Sequence, residues 1–114
     1  MESKSELNTE GSNIIYFSYR NKNVNFSQIE YLVKNKAALN TQTTKGKTSL
    51  HLECEKEDVS FEIVKLFVEN KSDLNVQDIN GDTAIHYLTK TDKNLEILKF
   101  LCKKKNFYLL FFFF

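Results

Sequence analysis

Glycine occurs three times in this chain, at Gly11, Gly46 and Gly81, each 35 residues from the next. Shifting the sequence by that interval lays Asn35 on Asn70, Lys36 on Lys71, Leu39 on Leu74 and Asn40 on Asn75. It also lays Val24 on Val59, Phe26 on Phe61 and Val33 on Val68. The third copy lacks one residue before Asn94; beyond it an offset of 34 aligns Glu62 with Glu96, Ile63 with Ile97 and Lys65 with Lys99. So many coincidences at one spacing mean an internal repeat. A period of this size is one supersecondary unit, which hides its apolar side only by stacking on its neighbours.

Each unit reads as two short helices and a loop. Asn25, Ser60 and Asn94 align at the start of the second helix, where a side-chain oxygen can accept from an orphan backbone N–H. An apolar residue follows each of them (Phe26, Phe61, Leu95), and then a stripe at helical spacing, Ile63, Val64, Phe67 and Val68 in the middle copy. The opposite face carries Glu62, Lys65 and Glu69, placed to pair in solvent. The first helices are shorter and are expected over 49–56 and 84–91. Between units, "KSDLNVQDINGD" is turn chemistry.

The frame Gly-x-Thr-x-[Leu/Ile]-His, the helix "EIVKLFVEN" and the following "DLN" resemble the ankyrin repeat, whose first helix opens on T-P-L-H. The match covers 42–107 well and 11–41 more weakly. In the middle copy it rests on Gly46, Thr48, Leu50, His51, Ile63, Val64, Leu74 and Asn75. In the third copy it rests on Asp78, Gly81, Thr83, Ile85, His86, Ile97 and Leu98. The first copy keeps Gly11 but has Asn13, Ile14, Ile15 and Tyr16 in place of the signature, and so reads as an N-terminal cap repeat. Ser49 and Ala84 replace the family's proline. Glu53 and Leu88 replace its small alanine, and Lys36 and Lys71 replace the glycine that ends the second helix. A lysine in that left-handed position costs on the order of 1 kcal/mol. The resemblance implies an all-α solenoid of helix-turn-helix units joined by β-turn or hairpin loops. Its expected organisation is a disordered 1–10, repeats over 11–45, 46–80 and 81–107, and an apolar tail over 108–114.

The two histidines, His51 and His86, fall in the same frame. In the family this Thr and His pair hydrogen-bonds locally and ties the helix start to neighbouring loop backbone, so both are expected to be structural. As metal ligands they would lie one layer apart, roughly 10 Å, whereas a shared metal needs bonds near ~2 Å. Cys54 lies near His51, but Glu53 and Glu55 would raise its thiol pKa, which disfavours a nucleophile. Cys102 falls in the apolar stripe of the last helix. Neither cysteine has CxxC or CxxH spacing, and two isolated thiols fit a reduced intracellular setting, cytoplasmic ahead of nuclear. "MESKSELNTE" has no apolar segment of a signal peptide. No phosphate-binding glycine loop, zinc spacing or nucleophile elbow is present. No catalytic residue, metal or cofactor is therefore assigned, and a net charge of +1 gives no footprint for nucleic acid.

The resemblance implies a non-catalytic scaffold or adaptor that binds another protein through its loop tips and concave first-helix face. The tips are Thr44, Lys45 and Lys47 in one unit and Ile79, Asn80 and Asp82 in the next; Leu52 and Tyr87, each following a histidine, face the same groove. Tyr87 and Ile79 are the preferred anchors, since exposed aromatic and apolar groups gain most from contact. The oligomeric state is open, with a monomer as the default.

The tail "FYLLFFFF" is too short to span a bilayer, which takes ~20 residues. It can fold back over the last helix pair or dock on a membrane or partner. Alternatively, the chain is a fragment or its reading frame has overrun, as a thymine-rich stretch would read; this last is preferred. With Lys103, Lys104 and Lys105 it also suggests a two-signal peripheral membrane anchor. A third reading is an inactive fragment of a longer array.

Overall fold

The structure, a computed structural model, describes residues 14–20, 24–90 and 92–104. Among the described residues six α-helices follow one another as three pairs: α1 (Ile14–Arg20) with α2 (Phe26–Lys34), α3 (Ser49–Cys54) with α4 (Phe61–Glu69), and α5 (Ala84–Leu88) with α6 (Leu95–Lys104). No strand occurs among the described residues. The pairs stack in order, α1 on α3 and α3 on α5 along one side, α2 on α4 along the other. One apolar core runs through all three layers, and Ile15, Ile29, Leu50, Val64, Phe67, Leu88 and Leu101 are almost wholly buried. Each such side chain contributes about 1.5–3 kcal/mol on burial.

The caps follow the sequence. Asn25 Oδ1 accepts from Gln28 N–H at 2.9 Å and Ser60 Oγ from Ile63 N–H at 3.3 Å. Asn94 differs: with one residue fewer before it, it is drawn into a 3₁₀ turn, Asp92–Asn94, that leads into α6. The first helices also end earlier than their pattern suggests. The Thr89 hydroxyl donates to the His86 carbonyl at 2.8 Å and closes α5. After α3 the backbone turns so that Ser60 N–H reaches the Glu53 carboxylate at 2.8 Å.

Helices α2 and α4 end alike. Lys36 (φ 67°) and Lys71 (φ 72°) adopt the left-handed conformation. Ala37 N–H donates back to Leu32 O at 3.1 Å, and Ser72 N–H to Phe67 O at 3.0 Å. This is the Schellman closure, formed here without glycine. The loops that follow carry the tight turns. Gly46 N–H donates to Thr43 O at 2.8 Å and Gly81 N–H to Asp78 O at 2.9 Å, each glycine with φ near 80°.

Candidate binding surface

The two tip turns lie one above the other and are bonded together. Ile79 N–H donates to Lys45 O at 2.9 Å. Gln42 Nε2 reaches Gln77 O at 3.4 Å, and Asn40 both donates to Lys71 O (3.1 Å) and accepts from Asp73 N–H (2.6 Å). Gly46 must be glycine for two reasons: its φ is +78°, and a Cβ there would lie 2.9 Å from the Ile79 nitrogen.

His51 completes this ladder. Its Nδ1 accepts Thr48 N–H at 3.1 Å, which leaves Nε2 as the protonated nitrogen that donates to Asp82 O at 2.9 Å. The ring thus fixes the start of α3 and holds the next layer's loop, as the sequence suggested. His86 makes only the local half: Nδ1 accepts Thr83 N–H at 2.9 Å, and Nε2 has no partner among the described residues. No group of three or more His, Cys, Asp and Glu that could hold a metal occurs among those residues. Cys54 is buried, and burial first, then the Glu53 carboxylate, pushes its thiol well up. Cys102 is half-buried.

Four of the eight expected contact residues, Thr44, Lys45, Lys47 and Leu52, line one open groove of about 1220 Å³. Its other wall comes from α1, through Tyr16, Phe17, Tyr19 and Arg20. Phe17 is 48% exposed, and the Arg20 guanidinium lies 5.9 Å from its ring centre. Neither was singled out in the sequence, because the first copy has lost the signature that would place them. The aromatic cluster "YFSYR" facing a helix start was the signal available. Lys47 pairs with Glu55 at 2.6 Å, leaving Lys45 and Arg20 as groove cations without a carboxylate partner among the described residues.

The other four residues belong to the second tip. Ile79 is 72% exposed and shares a shallow concavity with Thr44. Asn80 is exposed, while Asp82 is engaged through its backbone, with N–H on Asp78 and carbonyl on His51. Tyr87 is half-buried and already occupied. Its hydroxyl donates a short bond to Asp78, and its ring meets His51 edge-on at 5.8 Å. Lys90 and Lys47 lie 5.0 and 5.7 Å from its centre. Burial, then the Asp78 bond, pushes the Tyr87 hydroxyl up. Burial would raise Asp78 too, but the Tyr87 hydroxyl and the N–H groups of Asp82 and Asn80 outweigh it and hold the carboxyl below its ordinary range.

At the far end Lys103 and Lys104 are exposed on the last turn of α6, with Lys104 5.6 Å from the Phe100 ring centre. Lys105 and the 107–114 tail lie outside the described residues. No helix of the described residues is long and apolar enough to cross a membrane.

Residues 54–102, from the end of α3 into α6, match the family model for ankyrin repeats (many copies). No curated protein matches the chain.

Proposed function

The chain is an ankyrin-repeat protein, and from that premise we propose that it is a non-catalytic module holding a protein partner along its concave face. The observation that carries this reading is the groove between α1 and the Thr43–Lys47 tip. Its lining combines apolar Phe17 and Leu52 with charges of both signs, among them Arg20, Lys45, Glu57 and Asp58. Such a mixture of apolar and polar groups suits a polypeptide surface. The second tip extends the same face, with Ile79 as an exposed apolar contact. Tyr87 acts differently from Ile79: its hydroxyl is held by Asp78 and its ring lies against Lys90 and Lys47.

The test is quantitative recovery of bound proteins, followed by titration of each purified one. Phe17→Ser with Lys45→Glu should weaken binding by about a hundredfold, since an aromatic contact is lost and a groove charge is reversed. Ile79→Ser should weaken it by about tenfold. Unchanged affinity for every recovered protein in the Phe17→Ser, Lys45→Glu variant would rule the groove out.

A further inference from the structure

Beyond the concave face, the two ends of the stack differ in a way the repeat register makes measurable. Residues that face the following layer are covered in the second layer and uncovered in the third. Leu50 and Val64 are 0% exposed, while their equivalents Ile85 and Leu98 are only half-buried. His51 is 1% exposed, but His86 is exposed and lacks the carbonyl that His51 bonds. Gly46 presses against the next loop, whereas a Cβ on Gly81 would meet nothing within 4 Å. Phe61 meets the third layer's Phe100 edge-on at 5.4 Å; its equivalent Leu95 is 51% exposed. The third layer therefore offers the same surface that the second layer uses to hold it.

The opposite end offers what such a surface takes. Phe100, the residue that packs on Phe61, has Leu66 and then Tyr31 as its equivalents in the layers before it. Tyr31, in the first layer, is 67% exposed. Leu95 and Tyr31 are thus the two halves of the Phe61–Phe100 contact, left open at opposite ends. In the same register, residues 1–12 hold the sequence positions before α1 that 71–82 hold before α5.

We propose that this chain associates head to tail, with the open face of α5 and α6 (Ile85, His86, Leu95) docking on the α1/α2 face of a second copy and that copy's Tyr31 over Leu95. Gln28 is exposed on α2 where the later layers have buried Ile63 and Ile97. That polar substitution keeps the contact weak and reversible rather than obligate. Because the two surfaces differ, the contact is heterologous, and each added copy leaves a free end.

Sedimentation velocity of the full chain across a wide concentration range tests this. The sedimentation coefficient should rise with concentration. Leu95→Lys and Tyr31→Lys should each weaken association by about tenfold or more, with circular dichroism confirming that both remain helical. Where either loses helix, Leu95→Ser and Tyr31→Ser take their place. An equimolar mixture of the two variants should form a one-to-one dimer that grows no further, because one variant keeps an intact α1/α2 face and the other an intact α5/α6 face. A monomer at every concentration overturns the proposal. So does association that survives both substitutions, the result expected if the apolar C-terminal run drives it. A mixture that stays monomeric overturns it as well.

Discussion

Lys71 sits at φ 72°, a backbone conformation that crowds its Cβ against the adjacent carbonyl. Its side chain is exposed and makes no hydrogen bond or ion pair among the described residues, and the closing bonds around it are backbone bonds that a glycine would keep. Lys71→Gly should therefore stabilise the fold by about 1 kcal/mol, read as a higher urea midpoint at unchanged slope. Asp78 gives a second prediction at this scale. Its carboxyl is held below the ordinary range, so its ionised form contributes stability that is fully present above the unfolded value of about 3.9. That contribution disappears as pH falls through the folded value. Stability should decline on acidification below about pH 4, and in Asp78→Asn the decline should be shallower, as urea midpoints at successive pH values would show. The glycines, the histidine frame and the strained lysines were all visible as sequence. The Asp78–Tyr87 bond was not, because nine residues of loop and helix must fold back before the two side chains meet.

Among the elements, α1 is attached in an unusual way. Glu53 is wholly buried on α3, where its family resemblance leads one to expect a small alanine, and its carboxylate gathers three donors. Tyr19 OH on α1 lies at 2.7 Å, Ser60 N–H at 2.8 Å and Lys56 Nζ at 3.1 Å. Burial, then Glu53, pushes the Tyr19 hydroxyl far up, so it stays a proton donor. Glu53→Ala leaves a part-buried hydroxyl and a part-buried backbone N–H without their carboxylate and opens a cavity beside α1. It should cost about 3 kcal/mol, measured by chemical denaturation, and should free α1 more than α5. Element order and the starts of α2 to α5 were legible because caps and stripes are local, whereas the early ends of α3 and α5 were not. The Glu53 network was not: Tyr19 and Glu53 are 34 residues apart, and in sequence a glutamate at an alanine position reads only as a defect. For the same reason the groove's α1 wall went unseen, while its loop-tip wall followed from the repeat.

For the molecule as a whole, register matters more than any single contact. The loop over 71–82 is bonded to the loop before it through Lys71, Asp73, Gln77 and Ile79, and to His51 on α3 through Asp82. Inserting one residue there would put every later bond out of step. In the connection between the two helices of a layer, the bonds that Ser60 N–H and Lys56 make to Glu53 stay within that layer. The third unit is one residue shorter than the second, and the deficit is absorbed where α5 has five residues to the six of α3. Evolution and engineers alike can therefore lengthen, label or graft at the bend after α5, around 89–90, whereas the threaded side of the stack admits exchange of side chains but not a change of length.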